Sequence, residues 1–181
     1  PGDMLVLYSP SQGYYDKAVR EYLVGRSNIA KRAVDEGARD FYFLTFDPKE
    51  DSMVSSMAWH GGYSKGLSKL TSYILRTNGA MRGAAPFTQR FLDCGANLGW
   101  FSLLAAAHGY AVTAFEPQAN VADLFQRAID INGFHDVIEL KHGAVSNEPG
   151  PVVVRPERGN PGGAHVTAGQ GANSVPTFAV D

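Results

Sequence analysis

Asp93 stands next to last in an apolar run, Phe91-Leu92-Asp93-Cys94, which is followed at once by Gly95-Ala96-Asn97-Leu98-Gly99. Further along, Glu116 closes a second apolar run, Ala111–Phe115, and is followed by Pro117. A carboxylate at a strand's end accepts hydrogen bonds from a cationic amino group or a bound water. Glycines beside it let a ligand lie against bare backbone. A second carboxylate at the end of the next strand accepts from both hydroxyls of a ribose. Acid, bare turn and acid together suit a nucleoside bearing a zwitterionic tail, the chemistry of S-adenosylmethionine.

Each part also has a purely structural reading. Gly95 and Gly99 could serve only a tight strand-to-helix connection. Asp93 could cap the following helix, and Glu116-Pro117 could end an exposed strand. What argues against these readings is the joint occurrence, in order and at the spacing of a strand–helix–strand unit, because a buried strand-end acid is costly without a partner.

A dinucleotide site would need Gly-x-Gly-x-x-Gly: a tight turn, backbone approach to the pyrophosphate, and close packing of helix on strand. Aligned on Gly95, that template finds Asn97 at its second glycine and Trp100 at its third. An NAD(P)-dependent oxidoreductase is therefore the weaker reading.

The elements that must position these groups follow from periodicity. Phe91–Cys94, Ala111–Phe115 and Val137–Leu140 read as strands, separated by helices over Leu98–His108 and Val121–Asn132 that stop at Gly109 and Gly133. Alternating strands and helices predict an α/β fold with right-handed crossovers: a doubly wound parallel sheet, Rossmann-like, in three αβα layers. Ligands in such sheets bind beyond the strands' carboxyl ends. Upstream, Met4–Ser9 and Asp40–Pro48 read as strands and Ser27–Gly37 as a short helix. The segment Ser64–Gly79 reads as an amphipathic helix burying Leu67, Leu70 and Ile74 on a sheet and stopping at Asn78-Gly79. Downstream, "GPVVVRP" and "SVPTFAVD" are strand candidates, and the glycine-rich stretch between them, with the turn "NPGG", reads as a loop. Residues 1–89 thus form an N-terminal extension packed on a core of residues 90–181.

Composition narrows the partners. With 181 residues, 44% of them hydrophobic, the chain suits one domain rather than two separate cores. A formal charge of -2 gives no strongly positive surface for nucleic acid. The single cysteine, Cys94, excludes an internal disulfide and a thiolate zinc site. No apolar run is long enough for a membrane span and no secretory signal pattern is present. The chain reads as soluble, with the cytoplasm as default; it begins at Pro1 rather than Met, which leaves the compartment open.

The run from Phe91 to Gly150 resembles the FkbM-type S-adenosylmethionine-dependent methyltransferases. The matching motifs are Asp93–Gly99 (Asp-x-Gly-Ala-Asn-x-Gly), Ala114–Pro117 (Ala-Phe-Glu-Pro) and Ala144–Ser146 (Ala-Val-Ser). The stretch "FDPKEDSMVSSMAWHGGYS" is similar to the preamble of eukaryotic members, so the resemblance extends from about Asp40 to Asp181. It implies that Asp93, Gly95, Ala96, Asn97 and Gly99 line the methionine end of the cofactor. It also implies that Glu116 and Pro117 hold the ribose and that the Gly143–Ala144 turn lies near adenine. The implied reaction is O-methylation of a hydroxyl on a sugar or small natural product. Family members continue past a Leu-Asp-like segment, here Val180-Asp181, into a further strand carrying Lys-x-Asp-x-Glu-Gly. This sequence lacks that motif, so the resemblance implies a core cut short at its carboxyl end.

Hydroxyl methylation needs alignment of nucleophile, methyl and sulfur, and a base for the hydroxyl proton. His60, His142 and His165 fall in predicted loops that could face a pocket; His108 at a helix end and His135 in a solvated loop read as structural, and no pair has metal-ligand spacing. The catalytic base stays unassigned. A non-catalytic nucleotide-binding or interaction module is the alternative of a different class.

Overall fold

The computed structural model describes residues 4–8, 38–39, 41–46, 65–82, 86–157 and 160–180. The helix expected over Ser27–Gly37, most of the preamble over 46–64, and His60 lie outside the described residues.

Three parallel strands, β3 (Arg90–Cys94), β4 (Ala111–Glu116) and β5 (Ile138–His142), form a sheet in sequence order. Two crossover helices link them, α2 (Trp100–Ala107) and α3 (Ala119–Ile131). The fold is thus α/β around a parallel sheet. Both helices stop where glycine takes a left-handed conformation: Gly109 has φ 85° and Gly133 φ 63°.

Register explains which face holds the core. Phe91, Val112 and Ile138 stand side by side, as do Asp93, Ala114 and Leu140, and Glu116 pairs with His142. Val112, Ala114, Glu116 and Ile138 on this face are buried together with Leu103, Leu104, Phe125 and Ile129 of the helices. The opposite face carries Leu92, Thr113 and Glu139 in one row and Cys94, Phe115 and Lys141 in the next. Leu92 is 46% exposed there, and Cys94 is exposed too. Among the described residues, helices cover one face of the sheet, where three layers had been expected.

Two further strands, β1 (Met4–Tyr8) and β2 (Phe41–Thr45), pair antiparallel. β2 packs on α2 and α3, and Phe41 and Phe43 meet Trp100 edge-on at 5.8 and 5.3 Å between ring centroids. Asn132 fastens this strand pair: its side-chain oxygen accepts from the Tyr42 N–H at 2.7 Å and its amide donates to the Tyr42 carbonyl at 2.7 Å. Phe41, Phe43 and Leu75 belong to the same hydrophobic cluster as Leu103 and Phe125, so the N-terminal segment and the sheet share one core.

Helix α1 (Lys65–Arg82) corrects the sequence reading twice. It runs through Asn78-Gly79 instead of stopping there. Among its described side chains the buried ones are Ser68, Ser72 and Leu75, whereas Leu67, Leu70 and Ile74, expected inside, are 48%, 53% and 45% exposed. Specific polar contacts set this orientation. The Trp100 indole N–H donates to the Ser68 hydroxyl at 2.9 Å, His108 Nε2 lies 3.3 Å from the Ser72 hydroxyl, and the Tyr110 hydroxyl donates to the Leu75 carbonyl at 2.7 Å.

The first part of the glycine-rich stretch expected as a loop is instead a strand, while residues 169–173 keep the expected loop. β8 (Asn160–Ala168) pairs antiparallel with β7 (Val152–Glu157), with an irregularity between Pro156 and Glu157, and β9 (Ser174–Val175) pairs on the other side of β7. β-ladder bonds come from backbone groups, so a stretch with little apolar alternation still pairs when Val152–Val154 supplies the partner. The chain then returns to the parallel sheet's end, where β10 (Thr177–Phe178) pairs parallel with β6 (Ala144–Val145). This sets the Phe178 ring 5.3 Å from that of Phe115, on the face opposite the helices.

Candidate functional site

The turn between β3 and α2 is shaped by left-handed backbone at three positions: Gly95 (φ 82°), Asn97 (φ 53°) and Gly99 (φ 81°). The two glycines differ in why they are needed. A side chain on Gly99 would collide with the Phe125 ring, so Gly99 lets α2 and α3 approach. A side chain on Gly95 would meet nothing within 4 Å, so space lies open against its backbone. The backbone N–H groups of Gly95 and Ala96 both donate to the Phe115 carbonyl, at 2.9 and 2.8 Å, which locks the turn to the end of β4.

Asp93 and Glu116 emerge on the same sheet face at the carboxyl ends of adjacent strands. Asp93 accepts a 2.6 Å hydrogen bond from the Ser102 hydroxyl. Burial pushes its carboxyl above the ordinary range, and the bonds from Ser102 pull it partly back. Glu116 is 3% exposed. One of its oxygens accepts from the Gln118 N–H and the other from the Asn97 N–H, each at 2.8 Å. Burial raises its carboxyl as well, against those two amides, and the nearby charge of Asp93 raises it further. The two acids are therefore close enough to feel each other, in an arrangement hostile to a pyrophosphate.

Asn97 has both ends of its side chain engaged. Its oxygen accepts from the Leu98 N–H at 2.7 Å, and its amide donates to the Gly162 carbonyl at 3.1 Å. Gly162 is a glycine for cause, since an added side chain would come within 2.9 Å of the Asn97 amide. The expected turn "NPGG" is thus the start of β8 and rests on the Asp93–Gly99 loop.

Pro117 and Gln118 line a cleft of about 320 Å³ together with Asn120, His142, Asn173 and Ser174, among others. Gln118 is 4% exposed, and its side-chain oxygen has no hydrogen-bond partner. His142, at the end of β5, is exposed with Nε2 3.2 Å from the Pro117 carbonyl. Gly143 and Ala144 are held elsewhere than in open space: a side chain on Gly143 would meet the Phe178 ring and the Pro176 carbonyl at 2.6 Å, and the Ala144 N–H donates to that carbonyl at 3.0 Å. The Gly143 N–H donates to the Glu116 carbonyl at 3.1 Å, which ties this turn to the strand end that bears the second acid.

The structure thus gathers Asp93, Gly95, Ala96, Asn97, Gly99 and Glu116 in one place, with Pro117 at the edge of the adjoining cleft. Gly143 and Ala144 pack under the C-terminal strand. His108 bonds to Ser72 and the exposed His135 lies 3.2 Å from Asp136. His165, expected in a loop, stands on β8 opposite Arg155. Sequence reasoning missed Ser102 and Gln118. Ser102 carried one signal, an isolated hydroxyl in the otherwise apolar "WFSLLAAA". Trp100 turns toward β2 and α1, and the close approach at this turn is made by Gly99 against the Phe125 ring of α3, a contact of helix with helix rather than the helix-on-strand contact of a dinucleotide template. No group of metal-ligating side chains occurs among the described residues, and none of their helices is long and apolar enough to cross a membrane. No protein-family model, curated protein or solved structure matches the chain.

Proposed function

We propose that this chain binds S-adenosylmethionine as a methyltransferase of the FkbM type, acting on a hydroxyl of a sugar or small natural product. One observation carries the reading: Asp93 and Glu116 leave adjacent parallel strands on one face and flank the left-handed, side-chain-free bend at Gly95. Asp93 would accept from the ammonium of the cofactor's amino-acid tail, and Gly95 would give the tail bare backbone to lie on. Each Glu116 oxygen keeps a lone pair beyond its amide bond, enough for the two ribose hydroxyls. Because Glu116 is buried under the Asn97 turn, those hydroxyls reach it only if that turn shifts. The unpartnered Gln118 oxygen on the neighbouring cleft is an acceptor suited to an exocyclic amine.

The bound cofactor would supply a methyl group activated on a sulfonium. The chain's part is to align it and exclude water while the acceptor oxygen forms its bond to carbon, the carbon–sulfur bond breaks, and a base takes the hydroxyl proton.

Isothermal titration with S-adenosylhomocysteine should give saturable heat that Asp93→Ala abolishes while circular dichroism stays unchanged. Equal heat from the variant, or none from the parent chain, overturns the reading. A specific observation favours a second one: among the described residues no helix covers the sheet face on which Leu92 and Cys94 lie exposed, which suits a nucleotide-binding module that turns nothing over alone. Binding of S-adenosylhomocysteine without methyl transfer to any of a panel of sugar hydroxyls supports that module. A thermal shift with NAD(P) in place of S-adenosylhomocysteine would instead support an oxidoreductase.

A further inference from the structure

The orientation of α1 leaves a surface that the proposed cofactor site does not use. Leu67, Leu70, Tyr73 and Ile74 are 48%, 53%, 58% and 45% exposed on one side of this 18-residue helix, while its serines face the core. At 3.6 residues per turn these four side chains span one outward arc, and Lys69 and Arg76, both exposed, stack one above the other along its flank. The helix sequence carries four cations, Lys65, Lys69, Arg76 and Arg82, and no acid. This contrasts with a chain whose formal charge is -2.

Contacts at the helix's other side keep the arc outward. Ser68 takes the Trp100 indole N–H, Ser72 meets His108, and the Leu75 carbonyl takes the Tyr110 hydroxyl. Turning Leu67, Leu70 and Ile74 inward would break all three. The apolar row is therefore a fixed feature of the surface. Apolar side chains bordered by cations, with an amphipathic aromatic among them, match the layered chemistry of a lipid interface: acyl boundary next to phosphate. An acid-free helix complements an anionic surface, to which each lysine or arginine adds attraction.

We propose that α1 is a peripheral membrane-binding element that lies flat on an anionic bilayer, with Leu67, Leu70, Tyr73 and Ile74 in the acyl boundary and Lys69 and Arg76 on lipid phosphates. The chain is held on the bilayer, not through it. This inference is independent of what binds beside Asp93.

The test is co-sedimentation of the chain with vesicles of phosphatidylcholine alone and of phosphatidylcholine mixed with phosphatidylserine, at low and high salt. The expected result is binding to the mixed vesicles that weakens as salt rises. Lys69→Gln with Arg76→Gln should weaken it roughly 30-fold. Leu70→Ser with Ile74→Ser should weaken it roughly 100-fold. Both pairs are exposed, so circular dichroism and the thermal midpoint should stay near those of the parent. Equal binding to neutral vesicles, or no binding, overturns the proposal. So does a dimer in sedimentation velocity that Leu70→Ser with Ile74→Ser dissociates, which would make the arc a contact between copies. Equal affinity for polyglutamate would assign it to an acidic polypeptide and overturn it as well.

Discussion

The Ser102 hydroxyl, in the first turn of α2, donates a 2.6 Å hydrogen bond to the Asp93 carboxylate at the end of β3. The bond favours the charged acid at a place where burial disfavours it. Ser102→Ala removes that support. A hydrogen bond to a charged group contributes roughly 1.5–3 kcal/mol, and the loss should fall in that range. Urea denaturation at neutral pH measures it.

The pH dependence of stability follows from the same pair. Folded Asp93 and Glu116 hold their protons more tightly than the unfolded chain, whose ordinary values are 3.8 and 4.5. The protonated forms therefore favour the fold: their contribution is full below those values and is lost as pH rises through the folded ones. Asp93→Asn removes one such group. The variant should gain stability relative to the parent as pH is raised from about 4 to about 7. Ser102→Ala, by raising Asp93 further, should make the parent's decline steeper. Chemical denaturation across that range reads both, and a constant difference between parent and Asp93→Asn would contradict the assignment.

Gly99 and Gly95 share a left-handed backbone but should fail differently when replaced by alanine. At Gly99 the methyl group strikes the Phe125 ring, adding overpacking to backbone strain, for roughly 2–5 kcal/mol in all. At Gly95 only the backbone term remains, about 1–2 kcal/mol. Denaturation midpoints at unchanged slope compare the two. Any ligand affinity at the bend should fall more in Gly95→Ala than its stability does.

Asn132 acts as a one-residue splice between the end of α3 and the edge of β2. Asn132→Ala removes the two bonds to Tyr42 and a third, at 2.7 Å, to the Ala128 carbonyl. At about 1 kcal/mol for each net bond, the cost should be roughly 3 kcal/mol. Amide hydrogen exchange should show the Tyr42 N–H losing protection before amides of β4 do.

Gly162 meets Asn97 closely enough that Gly162→Val should lift the start of β8 off the Asp93–Gly99 loop. The core does not depend on that contact, so the midpoint should move by only about 1 kcal/mol. Access to Glu116 should increase, seen as faster hydrogen exchange at the Asn97 N–H.

Much of the parallel sheet was legible in the residues alone. Apolar runs with Asp93 and Glu116 near their ends, and helices stopped by Gly109 and Gly133, are local signals; the period of each segment and the freedom of glycine at positive φ need no distant partner. What only the tertiary structure decided depends on groups far apart in the chain. Periodicity chose Leu67, Leu70 and Ile74 as the inner face of α1, but Trp100, His108 and Tyr110 supply polar partners that turn Ser68, Ser72 and Leu75 inward. The first part of the glycine-rich stretch became β8 because Val152–Val154 offered it a ladder. Gly95 and Gly99 looked alike until packing separated them, Gly99 pressed on Phe125 and Gly95 left bare. A sequence records which contacts each residue could make; which of them are made is settled by what the rest of the fold brings within reach.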